Sequence, residues 1–252
     1  MRRLPWALLA ALVLTQICYP LTAGGTRAAC TVLTVVLGYV LSVSHAALSR
    51  GPRAALALVA VATAGGWAVE AVGVATGFPF GTYDYSGQLG PKLLGVPLII
   101  PLAWTWMAWP AWLAAGRLVS SVAARVVVAA AGLAAWDLFL DPQMVAEGYW
   151  TWQSPTPALP GVPGIPVGNY LGWLGFAVLL MAGLARFVPD RAGADDAPML
   201  ALYLWTYGSS VLAHAVFLGL PASAAWGGVG MGLVAVPLAV QLARSRRARV
   251  PA

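Results

Sequence analysis

The chain has 252 residues, of which 60% are hydrophobic and only 9% charged, with a mean hydropathy of +0.80. A soluble globular domain carries about 25% charged residues, so this composition excludes one. The formal net charge of +6 does not indicate nucleic acid, because the basic residues collect at the ends of apolar runs, where membrane topology places them.

Hydrocarbon ~30 Å thick needs ~20 apolar residues of helix to cross it. The apolar runs predict about eight such helices, at residues 4–22, 28–48, 54–76, 93–115, 119–141, 170–188, 198–220 and 224–243. One transmembrane domain fills residues 1–252 and leaves no room for a sizeable soluble one. The fold class expected is an all-α, polytopic integral membrane helix bundle. The first run, preceded by Arg2 and Arg3 and followed by Leu21-Thr22-Ala23-Gly24, resembles a signal peptide but is long for one. Cys18 and Cys30 fall inside the first two helices and read as packing residues.

Basic residues divide unequally between the two sides. One side takes Arg2, Arg3, Arg50, Arg53, Arg117, Arg125, Arg186, Arg191, Arg244, Arg246, Arg247 and Arg249; the other takes Arg27 and Lys92. This asymmetry predicts an even helix number and both termini in the cytoplasm, which in turn places the protein in the cell (plasma) membrane as a multi-pass chain. Two long connections, 77–92 and 142–169, then face outward. Both are rich in Gly, Pro and aromatics, and both contain the pattern G-x-P-x-G-x-Y, at Gly77–Tyr83 and Gly164–Tyr170. That repetition is what an internal duplication would leave.

Charges inside a bilayer are costly and mark functional positions. Asp190, Asp195 and Asp196 fall in a cytoplasmic connection. Glu70, Asp137 and His214 lie in three different helices at one shallow depth in the outer half, and Asp84, Asp141 and Glu147 lie just above them. His45, near the inner end of the second helix, reads as structural. Asp137 and Asp141 are four residues apart and so share one helix face. Membrane prenyltransferases hold magnesium and a diphosphate with aspartates at this spacing, but they need a second cluster and basic partners that this side lacks. The small-residue run Ala129–Ala135 permits close helix approach and turns Asp137 inward.

Twelve tryptophans are many for this length. Trp6, Trp109 and Trp112 suit the interfacial belt. Trp104 and Trp106 lie nearer mid-membrane, Trp136 is beside Asp137, Tyr149, Trp150 and Trp152 follow Glu147, and Trp173 opens the sixth helix. Aromatic faces attract cations, and acids beside aromatic faces in an apolar pocket are what carbocation chemistry on a hydrocarbon requires.

The motifs Gly77–Tyr85, Leu89–Pro97, Pro101–Trp104, Trp136–Met144, Gly148–Trp152, and Gly164–Pro166 with Asn169, Tyr170, Gly172 and Trp173 resemble the carotenoid biosynthesis membrane family of the CruF type. The resemblance runs from about residue 38 to residue 240. It implies a carotenoid 1,2-hydratase, which adds water to the C1=C2 bond of an acyclic ψ end group. The substrate would arrive from the lipid phase, in contact with membrane lipid and with other enzymes of the carotenoid pathway. A membrane lycopene cyclase, which quenches the same cation by ring closure, and a small-solute transporter are the competing readings. A retinal-binding photoreceptor would need a lysine inside a late helix, and Lys92 is at the mouth of the fourth.

Hydration of such an alkene needs a proton delivered to C2 and water captured at C1. Low dielectric favours the protonated form of a carboxyl group, which makes it an acid at neutral pH. Asp137 and Glu70 are therefore the candidate donors, with Asp141, Asp84 or His214 handling the water and its proton. Tyr83, Tyr85, Trp104, Trp136, Trp150, Trp152, Asn169 and Trp173 are the candidate substrate-binding residues. No phosphate-cradling glycine loop or metal motif stands in the sequence, so no cofactor and no metal are expected.

Overall fold

The computed structural model describes residues 3–189, 191 and 193–247, and only the backbone of 246 and 247. Arg2, Arg249 and Asp190 lie outside the described residues. The helices are α1 (Arg3–Leu21), α2 (Gly24–Arg50), α3 (Pro52–Thr76), α4 (Ile100–Leu118), α5 (Val122–Ala146), α6 (Val167–Phe187), α7 (Ala197–Phe217) and α8 (Pro221–Arg247). All but α4 are long and apolar enough to cross a membrane. Large apolar side chains such as Leu179 and Leu233 stand 69% and 74% exposed on the outside of the bundle, as a lipid-facing surface requires. The eight-helix all-α bundle expected from the sequence is thus present.

The exception, α4, is the hub. From Ile100 to Ala115 every residue but Leu102 is buried, and the helix packs against α2, α3, α5, α6, α7 and α8. Trp104, Trp106, Trp109 and Trp112, with Pro101 and Pro110, lower its mean hydropathy below that of its neighbours. Its neighbours make room with glycine. A Cβ at Gly38 of α2 would lie 2.5 Å from the Trp106 ring, and one at Gly66 of α3 would lie 3.0 Å from Trp104.

Pro110, Pro142 and Pro237 stand in helix interiors, and the first two use the same repair. Pro110 has no N–H for the Trp106 carbonyl four residues back, and Ser42 Oγ of α2 donates to that carbonyl at 2.9 Å. Pro142 leaves the Leu138 carbonyl free, and Ser223 Oγ of α8 donates to it at 2.7 Å. In lipid a freed backbone group must be met from within the protein, and serine hydroxyls meet both.

Two boundaries lie more than four residues from those predicted. The fourth helix begins at Ile100 rather than 93, because β2 (Lys92–Leu93) and β3 (Val96–Pro97) form a hairpin over Leu94 and Gly95, both at positive φ. The fifth helix runs to Ala146 rather than 141. It tightens at Ala135 and Trp136 and then continues through Pro142, so Asp141 lies inside the helix and not above it.

The two long connections fold onto each other. β1 (Tyr83–Tyr85) pairs antiparallel with β4 (Trp150–Trp152), placing Tyr83 opposite Trp152 and Tyr85 opposite Trp150. β5 (Ala158–Leu159) pairs with β6 (Val162–Pro166), which leads into α6. The two G-x-P-x-G-x-Y copies take different forms. The first is a turn ending in β1; the second is a strand running into α6, with Tyr170 helical. No structural repeat accompanies the sequence pattern.

Candidate active site

A cavity of about 140 Å³ lies inside the bundle beneath the β1–β4 ribbon. At one end stands Glu70 of α3, 3% exposed. Its Oε2 accepts from Tyr83 Oη at 2.5 Å and Tyr85 Oη at 2.8 Å, and its Oε1 accepts from Trp104 Nε1 at 3.0 Å. All three partners are donors, the complement of a carboxylate. Burial, and then the neighbouring Glu70, push the Tyr83 and Tyr85 phenols well above their ordinary range, so both remain O–H donors.

Strand alternation explains which loop residues reach the cavity. Along β1 the side chains of Tyr83 and Tyr85 point one way and Asp84 the other. Asp84 is accordingly exposed, accepts from Gln153 Nε2 at 3.1 Å, and does not line the cavity. Glu147 is turned away too, in an ion pair with Arg27.

The second acidic group is the pair on α5. Asp137 and Asp141 are 0% and 2% exposed. Asn169, in the first turn of α6, donates its Nδ2 to Asp137 Oδ2 at 2.9 Å and also to Asp141 Oδ2. Trp150 Nε1 donates to Asp141 Oδ1 at 3.0 Å, and the two carboxyls converge on the one Asn169 amide nitrogen. Asp141 faces the cavity, whereas Asp137 sits behind it with its Oδ1 unpartnered. An amide NH₂ therefore occupies the position between the carboxyls that a magnesium clamp would need for the ion.

Aromatic rings close the site. Trp104 stacks on Trp173 at 3.8 Å, Trp136 meets Trp173 edge-on at 6.3 Å, and Tyr83 packs on Trp152. Trp152 Nε1 is spent on the Phe80 carbonyl at 2.8 Å. His214 is buried but not in this cluster. Its Nδ1 is 2.8 Å from Ser223 Oγ and its Nε2 is 3.2 Å from the side-chain amide of Gln143, which lines the cavity where His214 does not. His45 sits at the other end of the bundle, accepting from Trp109 Nε1 at 3.0 Å and bonded to the Asp195 carbonyl. Thr34 and Thr206, also on the cavity wall, were not singled out by the sequence. The signal for Thr206 is the spacing Thr206, Ser209 and Ser210, one polar stripe along α7.

The chain matches the carotenoid biosynthesis protein family over residues 30–238, which includes every helix except α1, the start of α2 and the last turns of α8. It belongs to that family. Among curated relatives it is 36% identical over 167 residues to a bisanhydrobacterioruberin hydratase of Haloarcula japonica, an alignment covering 61% of this chain and 55% of the relative. The chain thus spans about half the length of that protein. No solved structure matches it. The matched region holds Glu70, Asp137, Asp141 and Asn169, so the acidic cluster belongs to the part of the chain that defines the family.

Proposed function

We propose that the protein is a carotenoid hydratase that adds water to the C1=C2 bond of an acyclic ψ end group. The observation that carries this reading is the division of the buried acids into two unlike groups around one aromatic cavity. Glu70 is met only by donors, whereas Asp137 and Asp141 converge on the single Asn169 amide nitrogen, and two carboxyls crowded so closely favour sharing one proton over carrying two like charges. Unlike environments for neighbouring acids are how one site supplies both an acid and a stabilising anion. The name of the Haloarcula relative supports the same reading.

In this mechanism the aspartate pair gives its proton to C2 through Asp141, the member that faces the cavity. The C1 cation is held by the Glu70 carboxylate and by the faces of Trp104, Trp136 and Trp173. Water attacks C1, and its proton returns to the aspartate pair, leaving a tertiary alcohol and an unchanged enzyme. The reaction is redox-neutral and needs neither cofactor nor metal. The polyene enters from the lipid of the plasma membrane, where other enzymes of the pathway supply and remove it.

Expression in a host that accumulates an acyclic carotenoid tests the reading. The expected product is heavier than its substrate by one water at each modified end. A product of unchanged mass would replace hydration with cyclisation. Activity should also survive chelator treatment of purified enzyme; loss that a divalent ion restores would return the Asp137–Asp141 pair to a metal role.

A further inference from the structure

The carboxyl cluster makes up only part of the cavity wall. Another part comes from α1, α2, α4 and α7, and it is polar in an unusual way. Thr34 Oγ1, Trp106 Nε1 and Thr206 Oγ1 are all buried, all belong to residues lining the cavity, and none closes a hydrogen bond with the protein. Buried polar groups are nearly always partnered, so each orphan asks for an explanation.

Threonine in an apolar helix normally bonds its own backbone four residues back. Thr15, Thr31, Thr76 and Thr105 all do so, at 2.9, 3.1, 2.7 and 3.0 Å. Thr34 and Thr206 do not, which leaves their hydroxyls for the cavity. Gln143 joins them by an argument from donors and acceptors. Ser223 Oγ gives its proton to the Leu138 carbonyl, so it accepts from His214 Nδ1–H. His214 Nε2 is then an acceptor, and the Gln143 amide beside it must present its NH₂ there. That orientation turns the Gln143 carbonyl oxygen to the cavity, beside Tyr19. The cavity far exceeds the ~10–15 Å³ that one water needs.

We propose that this wall is the water-binding subsite of the enzyme. Thr34, Thr206, Trp106 and Gln143 hold the water that captures the C1 cation, and afterwards the tertiary hydroxyl of the product. His214 is a positioning residue that fixes the Gln143 amide. The subsite rests on the hydratase reading. In the capture step the C1–O bond forms, one water O–H bond breaks, and that proton passes to the aspartate pair.

The test separates capture from protonation. Enzyme in liposomes is given the acyclic carotenoid in D₂O, and both product and recovered substrate are analysed by mass. A cation that is formed but not captured loses a proton from C2 and returns as deuterated substrate. Thr34→Val and Thr206→Val remove the hydroxyls at nearly constant shape. Each is expected to hydrate roughly ten-fold more slowly, the scale of one lost hydrogen bond, while recovered substrate gains deuterium. Thr34→Ser and Thr206→Ser should restore hydration. Should a valine variant fail to accumulate, the alanine variant at that position is read in the same way. Hydration and deuteration falling together, or valine variants that hydrate like wild type, would overturn the subsite alone. Wild type that makes no hydrated product overturns the hydratase reading itself, and the subsite with it.

Discussion

The acids of this protein differ in what surrounds them more than in where they fall along the chain. Asp84 and Glu70 are both near the outer connections by sequence, yet only Glu70 collects three donors while Asp84 faces out from β1. General acid catalysis contributes typically 10²–10⁴-fold, so Asp141→Asn and Asp137→Asn are each expected to lower hydration by about that factor, with unhydrated carotenoid accumulating in cells. Glu70→Gln should be comparably severe, because its amide NH₂ would face the Tyr and Trp donors. Asp84→Asn should hydrate at a near wild-type rate; a loss like that of Asp141→Asn would mean that the ribbon side carries the acid chemistry. The burial of Glu70, Asp137 and Asp141 was legible in the sequence, since carboxyls in apolar runs are costly wherever they point. Asp84 was misread because its direction depends on pairing with Trp150–Trp152, about seventy residues away, and no local pattern records that partner. His214 was expected beside the acids but meets Ser223 and Gln143 instead, for the same reason.

Among the elements, the interior prolines Pro110 and Pro142 carry the clearest energetic consequence. Ser42→Ala leaves the Trp106 carbonyl buried and unmet, and Ser223→Ala does the same to Leu138. An unsatisfied buried acceptor costs about 1–3 kcal/mol, so both variants should melt at lower temperature in detergent. Adding Pro110→Ala to Ser42→Ala lets the new N–H bond the Trp106 carbonyl, so the double variant should lose less than the two single losses added together. Strict additivity would show that the serine is not what meets that carbonyl. Helix number and approximate span came through in the sequence because lipid demands long apolar runs. Helix ends came through less well. Leu93–Pro97 reads as the start of an apolar helix, and only Gly95 signals the positive-φ turn that makes it a hairpin. Asp141–Pro142 reads as a helix stop, because the residue before proline disfavours helix. The helix passes through it, since Ser223 on a distant helix accommodates the break.

Over the whole molecule, charge and chemistry are separated end to end. Arg50 pairs with Asp196 at 2.8 Å, and Arg117 and Arg125 gather around the same recess, far along the helices from Glu70 and Asp141. The positive-inside rule predicts that the basic end is cytoplasmic. A fluorescent reporter that matures only in the cytoplasm, fused to the C-terminus, should therefore be bright; a dark reporter on well-expressed protein would invert the orientation. The low hydropathy of α4 has a consequence for biogenesis. Insertion machinery sorts segments by their affinity for lipid, and α4, with its tryptophans and prolines, is poorly suited to enter lipid alone. Its proper solvent is the protein: α2 and α3 precede it out of the ribosome, while α5 to α8 follow. The helix that bears Trp104 and Trp106 must then wait at the translocon for its later neighbours, so a nascent chain halted after Leu118 would leave it only loosely inserted.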